Sequence, residues 1–215
     1  MGVRMAERDE LHAAVVEGDW KAAVAATRNA LAAGMAPIVL VNRSLVPAMD
    51  EVGRLFDCEE YFVPEMLLSA RAMKASMDIL RPLLAATGAE PAGRVVIGTV
   101  KGDLHDIGKN LVAAMLEGGG FEVIDLGADV APERFVEAVA ARNANLVALS
   151  ALLTVTMPSM KTTIDALSAA GLRQKVKVMV GGAPVTQQYA NAIGADGYGE
   201  SAGAAVALAR KLVAA

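Results

Sequence analysis

The hydrophobic pattern of this 215-residue chain changes near Pro91, and that change constrains the fold more than any other feature. Before it, apolar residues recur at three- and four-residue spacing, which predicts helices. After it, short β-branched runs alternate with helical stretches, which predicts β-α-β units around a buried parallel sheet. We therefore expect a helical domain over 1–88, a linker over 89–93 and an α/β domain over 94–215.

Capping and helix-breaking residues divide the first part into four helices that would form a bundle. Asp19 can cap the second helix, and Pro37 suits the first turn of the third. Small polar residues, Gly and Pro dominate residues 87–93, which is typical of a linker. The four helices are expected over residues 6–16, 20–34, 37–56 and 64–84.

Five short apolar runs in the second part predict a doubly wound, flavodoxin-like (Rossmann-like) sheet of five parallel strands. In such sheets ligands bind outside the carboxyl ends of the strands, where the strand order switches. Functional residues should therefore come just after strands. The strands are expected over residues 95–100, 121–126, 146–150, 176–180 and 195–198.

The loop after the first predicted strand holds His105, one of only two histidines in the chain, with Asp103 two residues before it. A lone loop histidine is more often a hydrogen-bonded structural residue than a metal ligand. A carboxylate beside it, however, can fix the imidazole tautomer and make the other ring nitrogen a better metal donor. With two histidines and one cysteine the chain cannot build a zinc site from these residues. A metal at His105 would have to bring most of its own ligands, as a tetrapyrrole-type cofactor does.

The segment Asp103-x-His105-x-x-Gly108, between a strand and a helix, resembles the signature of the cobalamin-binding domains of methionine synthase, corrinoid methyl-carrier proteins and some mutases. Three later segments match the same family in the same order, each at a strand end. They are Ser150 to Thr154, Gly181 to Pro184 and Ala195 to Glu200. The amino-acid sequences of these loops are especially similar to those of carriers that serve methylated amines and methanol.

The resemblance implies that cobalamin binds with its own base displaced and that His105 becomes the lower ligand of cobalt. Asp103 and Thr156 would form a proton relay to this histidine, with Thr156 standing where methionine synthase has a serine. Gly181 and Gly182 would let the backbone approach the cofactor, although an ordinary strand-to-helix turn also uses glycines. The further cofactor-binding residues that the resemblance implies are Gly102, Leu104, Asp106, Ile107, Gly108, Ser150, Leu152, Thr154, Ala183, Tyr198, Gly199 and Glu200.

The helical part is similar to the four-helix cap that precedes the cobalamin domain in methionine synthase and the methyl carriers. Phe56 and Val63 match the aromatic and aliphatic residues that cover the upper, methyl-bearing face of the corrin in that cap. The alternative is that both belong to the bundle core. Asn42 stands where methionine synthase has an acidic residue, so its role is open, as is that of Cys58.

The function implied by the resemblance is that of a corrinoid carrier, which is not catalytic alone. It would move a methyl group from a substrate methyltransferase, acting on a methylated amine, methanol or a similar donor, to a second methyltransferase serving a thiol or tetrahydrofolate. The cofactor states would be methylcobalamin, cob(I)alamin and cob(II)alamin, with a reductive activase as a further partner. A cobalamin-dependent light or ligand sensor and a mutase subunit are the alternatives.

Charge and hydropathy argue against nucleic acid and membranes as partners. The chain has 9 basic and 13 acidic residues before Pro91, and 11 of each from there on, without the basic excess that phosphate binding needs. The longest apolar run, residues 35–41, is far shorter than the roughly 20 residues that span a bilayer. The N-terminus has no secretory signal pattern, so we expect a cytoplasmic protein.

Overall fold

The structure, a computed structural model, describes residues 9–87 and 91–214. The chain divides into two compact units, residues 1–90 and 91–215. Residues 88–90, which include the first two residues of the predicted linker 89–93, lie outside the described residues. No helix in the described part of the chain is long and apolar enough to cross a membrane.

The first unit is helical, as the apolar spacing predicts. Asp19 caps the second helix by accepting hydrogen bonds from the backbone of Lys21 and Ala22, both at 3.0 Å. Asp9 caps the first helix, and residues 6–8 of the predicted helix lie outside the described residues. The helices are α1 (Glu10–Val16), α2 (Trp20–Ala32), α3 (Pro37–Leu40), α4 (Val46–Asp57) and α5 (Val63–Ala86).

A π-helical segment, Val41–Leu45, joins α3 to α4 in one continuous helical run. The backbone N–H of Val46 donates to the carbonyl of Val41, five residues earlier. Pro47 follows directly and has no N–H to donate to the preceding turn, so a widened turn is accommodated here. The single helix expected over residues 37–56 is thus confirmed in extent, but its middle turn is not α-helical.

The interior of the helical unit holds leucines and methionines as its largest side chains, beside smaller buried valines and alanines. Methionine suits such a core because its flexible side chain fills irregular gaps. The largest fully buried side chains of this unit are Leu40, Leu45, Met49, Met66, Met73 and Leu80.

The second unit is a five-stranded parallel sheet with the strand order β2-β1-β3-β4-β5. This order confirms the predicted doubly wound fold, and each predicted strand is present within one or two residues. The strands are β1 (Arg94–Thr99), β2 (Glu122–Asp125), β3 (Leu146–Ser150), β4 (Lys177–Gly181) and β5 (Gly197–Gly199). The helices between and after them are α6 (Ile107–Gly118), α7 (Pro132–Arg142), α8 (Pro158–Ala169), α9 (Gln187–Ile193) and α10 (Ala202–Val213).

The strand register brings the carboxyl ends of four strands to one line. Thr99 pairs with Ser150, Ser150 with Gly181, and Gly181 with Gly199. The loops that follow these residues therefore leave the sheet side by side, and the order reverses between β1 and β3. This edge is where a parallel sheet of this order binds ligands.

Candidate functional site

Asp103 is the buried centre of the carboxyl edge. One of its oxygens, Oδ1, accepts hydrogen bonds from the backbone N–H of His105 at 3.1 Å and lies 2.9 Å from the Nδ1 of its ring. The other, Oδ2, accepts from the backbone N–H groups of Leu152 and Leu153 at 2.8 and 3.3 Å and from the Thr156 hydroxyl at 2.7 Å. A single carboxylate thus joins the loop after β1 to the loop after β3.

These contacts decide the charge of Asp103. Burial by itself would raise the pKa of this carboxyl group, because a charge is costly away from water. The hydrogen bonds from Thr156, Leu152 and His105 favour the ionised form and together hold the pKa of Asp103 well below its usual range. The carboxylate is therefore negative at neutral pH and accepts hydrogen bonds only.

His105 is held at one side and open at the other. Its Nδ1 lies against Asp103, and its backbone carbonyl accepts a hydrogen bond from the buried Thr99 hydroxyl at 2.9 Å. The side chain is nevertheless 52% exposed. Its Nε2 makes no hydrogen bond to any residue within 9–87 or 91–214. A carboxylate on Nδ1 keeps the proton there, so the lone pair of Nε2 is presented outward.

Thr156 completes a line of three residues through Asp103 to His105. Its hydroxyl lies 2.7 Å from the Asp103 carboxylate and 2.8 Å from the carbonyl of Leu153, both acceptors for its single proton. The residue is buried in the turn that leads into α8. The structure therefore brings together the three residues of the predicted relay.

Exposed apolar side chains surround this line on the outer surface of the edge. Leu104 and Ile107, which flank His105, are 77% and 76% exposed, and Val155, next to Thr156, is 81% exposed. A Cβ added at Gly108 would meet nothing within 4 Å, so space is open over the first turn of α6. A cluster of exposed apolar side chains beside one polar side chain, here the imidazole of His105, is typical of a binding surface.

The loops after β4 and β5 are shaped by glycines. Gly182 has φ +126°, and a Cβ there would lie 1.9 Å from the carbonyl oxygen of Ala151. A Cβ at Gly181 would lie 3.0 Å from the carbonyl oxygen of Gly199. Contact between neighbouring chain segments therefore already requires glycine at 182. The predicted reason, backbone approach to a ligand, is not needed to explain it.

The other predicted binding residues lie along the same edge but make few contacts with the central line. Gly102 has φ +86° and allows the turn that carries Asp103. Gly181 is the last residue of β4 rather than the first residue beyond it, and Ser150 ends β3. Asp106, Leu152, Thr154, Ala183 and Glu200 are exposed, and Tyr198 and Gly199 are half-buried in β5.

Phe56 and Val63 belong to the helical unit, which holds neither of them in its core. Phe56 is half-buried near the end of α4, and Val63 is the first residue of α5 and 36% exposed. The bundle-core interpretation therefore does not account for Val63. Asn42 is exposed in the π-helical segment, and Cys58 is an exposed free thiol.

Two residues that the sequence interpretation missed also hold this edge. Asp129 accepts a hydrogen bond from the backbone N–H of Gly102 at 2.8 Å. Lys109, buried in the first turn of α6, lies 2.5 Å from the Asp125 carboxylate at the end of β2. The sequence carried a signal for Asp129 alone, because this residue comes shortly after the end of the predicted strand 121–126.

Comparison with known families matches both units. Two family models, each described as a B12 binding domain, match residues 93–207 and residues 7–81. The first match covers the sheet and the loops at its carboxyl edge.

Curated relatives match over nearly the whole chain. The chain is 44% identical over 209 residues to trimethylamine corrinoid protein 2 of Methanosarcina mazei, covering 94% of this chain and 96% of the relative. It is 43% identical over 206 residues to dimethylamine corrinoid protein 1 of Methanosarcina acetivorans, covering 95% and 96%.

A solved structure agrees. A chain of the methanol:cobalamin methyltransferase complex MtaBC from Methanosarcina barkeri matches with a TM-score of 0.83 and 34% identity, covering 95% of this chain and 78% of that one.

Proposed function

The chain belongs to the family of B12-binding corrinoid proteins, with cobalamin as its cofactor, and we propose that it carries a methyl group between two methyltransferases. The first would take the group from a methylated amine, and the second would pass it to an acceptor. The observation that carries the proposal is the outward Nε2 of His105, backed by a buried carboxylate, at the edge of a B12 binding domain.

The choice of a methylated amine rests on the relatives. The chain is 44% and 43% identical to corrinoid proteins named for trimethylamine and dimethylamine. The methanol complex contains a methyltransferase by its name, which supports a methyltransferase partner here. These names favour a carrier over the sensor and mutase alternatives. The acceptor and the reductive activase stay predictions.

The residues at the edge fit the cofactor by the chemistry of their donors. His105 offers one imidazole nitrogen, and exposed Leu104, Ile107 and Val155 provide an apolar surface beside it. A corrin ring needs only one lower ligand from the protein and has large apolar faces. When bound, cobalamin supplies a cobalt centre that accepts a methyl group and gives it up again. We propose Nε2 of His105 as its lower ligand.

Asp103 sets the chemistry of His105 in this proposal. It accepts five hydrogen bonds, so it has no room for a proton of its own. Asp103 would therefore act as a fixed negative charge that holds the proton on Nδ1 of His105 and directs Nε2 towards the cobalt. Thr156 helps to keep Asp103 ionised by donating its hydroxyl proton to Oδ2.

The remaining binding assignments follow the resemblance and stay predictions. They include the strand-end residues after β3, β4 and β5, and Phe56 and Val63 for the upper face of the corrin. The extents 1–88 and 94–215 for a cap and a cobalamin domain are proposed on the same ground.

Methyl transfer in a purified system tests the function. The protein would be loaded with cobalamin, reduced, and mixed separately with trimethylamine, dimethylamine, methylamine and methanol, each with a purified methyltransferase of that specificity. We expect the visible absorption of the reduced corrinoid to change with a methylated amine and to recover when an acceptor methyltransferase is added together with its methyl acceptor, a thiol or tetrahydrofolate. Apoprotein is the control.

Transfer from methanol alone would overturn the amine assignment. No transfer from any donor, with cobalamin demonstrably bound, would overturn the carrier function.

A further inference from the structure

Asp129, in the loop after β2, holds the segment that carries Asp103 through two separate bonds. Its carboxylate accepts a hydrogen bond from the backbone N–H of Gly102 at 2.8 Å. Its own backbone N–H donates to the carbonyl of Asp103 at 2.9 Å. Lys101 adds an ion pair at 3.1 Å between two partly exposed side chains. Three consecutive residues of the loop are thereby fastened to one aspartate.

The backbone of Asp129 is adapted to this double contact. Its φ is +53°, in the left-handed region that few residues other than Gly, Asn and Asp adopt readily. The turn itself is anchored to β1, since Thr99 and Val130 are joined by a backbone hydrogen bond of 3.0 Å. Asp129 is thus a fixed point from which the neighbouring loop is positioned.

The loop is also held from its opposite side and at its end. The Ser159 hydroxyl, at the start of α8, donates to the carbonyl of Lys101 at 3.0 Å. The Thr99 hydroxyl donates to the carbonyl of His105. Asp129 binds the backbone on both sides of the Gly102–Asp103 peptide, with its carboxylate before the peptide and its own backbone N–H after it. Loss of the carboxylate would free the N–H of Gly102, directly before the residue that orients the imidazole.

We infer that Asp129 is a positioning residue for His105, acting through Gly102 and Asp103 without touching the cofactor. This inference rests on the proposed role of His105 as the lower ligand of cobalt. Ligand orientation by surrounding hydrogen bonds commonly changes metal affinity 10- to 100-fold, and a residue one step further out should lie near the lower limit.

Two substitutions separate the carboxylate from the backbone conformation. Asp129→Gly removes the acceptor and keeps the left-handed conformation free of strain. Asp129→Asn keeps an acceptor oxygen and tolerates the same conformation. Asn143→Gly, at another left-handed position in the cap of α7, is the matched control for the added flexibility of glycine. Lys101→Met removes the ion pair alone.

Each protein would be loaded with cobalamin, reduced to the cob(II) state and studied by electron paramagnetic resonance across pH. We expect Asp129→Gly to lower the ratio of imidazole-bound to imidazole-free cobalt about tenfold, seen as loss of nitrogen splitting. The Asp129→Asn, Asn143→Gly and Lys101→Met variants should resemble the parent protein. In the apoprotein, amide exchange of Gly102 should be faster in Asp129→Gly and unchanged in Asp129→Asn.

Parent-like nitrogen splitting and parent-like Gly102 exchange in Asp129→Gly would overturn the inference. If Asp129→Gly does not fold, Asp129→Ser, whose hydroxyl is too short to replace the carboxylate, carries the same expectation and the same contrary result. Failure of the proposed ligand role of His105 is distinguishable, because the parent protein itself would then lack imidazole splitting, and failure of the carrier function would appear in the methyl-transfer assay alone.

Discussion

The carboxyl edge of the sheet is built by different means on its two sides. After β1, side-chain hydrogen bonds hold the loop, with Asp103 accepting from two loops and Asp129 fastening the backbone before it. After β4 and β5, glycines allow backbone segments to touch, and Gly182 has no space for even one added carbon. The loop after β1 should lose function gradually as its hydrogen bonds are removed one by one. The glycine-containing loops after β4 and β5 should instead lose stability when a single side-chain carbon is added.

The largest expected effect on stability is at Gly182, directly after β4. Gly182→Ala would place a Cβ 1.9 Å from the carbonyl oxygen of Ala151, at a backbone conformation that already disfavours side chains. We expect the apoprotein to lose about 3 kcal/mol of unfolding free energy, which lowers its Tm by on the order of 10 °C. Calorimetry of the apoprotein measures both.

Gly171→Ala is the matched control for this change. Gly171 also has a positive φ, +68°, but a Cβ there would meet nothing within 4 Å. Gly171→Ala should therefore lower the unfolding free energy by about 1 kcal/mol, which is the strain of the left-handed conformation alone. Equal losses for the two variants would show that the contact with Ala151 is unimportant.

In the loop after β1, Asp103→Asn should have the largest effect. The asparagine side chain would turn an NH2 group towards N–H or O–H groups that now donate hydrogen bonds to the carboxylate. We therefore expect a loss of about 2 kcal/mol of unfolding free energy. Cobalamin affinity should fall about 10- to 100-fold because the imidazole is no longer oriented. Urea unfolding of the apoprotein and optical titration with cobalamin measure the two effects. Unchanged affinity would show that Asp103 serves the fold alone.

Thr156 allows a test of whether the hydrogen bond to Asp103 affects cobalamin binding, because two variants with similar losses of stability can be compared. Thr156→Val removes the hydroxyl and Thr156→Ser removes the methyl group, and each should cost about 1 kcal/mol. Only the valine variant should weaken cobalamin binding, by about tenfold, because only it removes the donor to Asp103. Equal binding by the two variants would remove Thr156 from the relay.

The smallest effect concerns pH and Asp129. The hydrogen bond from the Gly102 backbone and the contact with Lys101 lower the pKa of this carboxyl group in the folded protein. A carboxyl group with a lowered pKa stabilises the fold above its unfolded pKa, about 3.9, and loses that contribution as pH falls through the folded value. The apoprotein should therefore be more stable than Asp129→Asn at neutral pH.

The difference in stability should shrink below about pH 4, because Asp129 is then protonated and uncharged like the asparagine that replaces it. Urea midpoints of the two apoproteins between neutral and acidic pH check this. A difference that stays constant over that range would show that the charge of Asp129 does not matter.

Much of the α/β unit could be predicted because its determinants are local in sequence. Strands such as Leu146–Ser150 are continuous apolar runs, and the Asp103 to Gly108 segment falls between a strand and a helix. The parallel order then required no further signal, since crossover connections restrict the possible topologies. The pairing of Asp103 with His105 was predictable for the same reason, because only two residues separate them.

What could not be predicted depends on contacts between distant parts of the chain. Asp129 lies 27 residues from Gly102 in sequence and meets it only because β1 and β2 are neighbours. The requirement for glycine at 182 comes from the carbonyl of Ala151 on the adjacent loop. In the helical unit, the π-helical turn before Pro47 departs from the helical spacing that predicted a single α-helix.

The central claim is that Nε2 of His105 is the lower ligand of cobalt, and isotope labelling tests it most directly. The protein would be produced with ¹⁵N-histidine, loaded with cobalamin and reduced to the cob(II) state for electron paramagnetic resonance. We predict that the nitrogen splitting changes from triplets to doublets on labelling and that the doublets disappear in His105→Ala, while His12→Ala retains them. Splitting that is unaffected by the label, or doublets that survive in His105→Ala, would contradict the assignment.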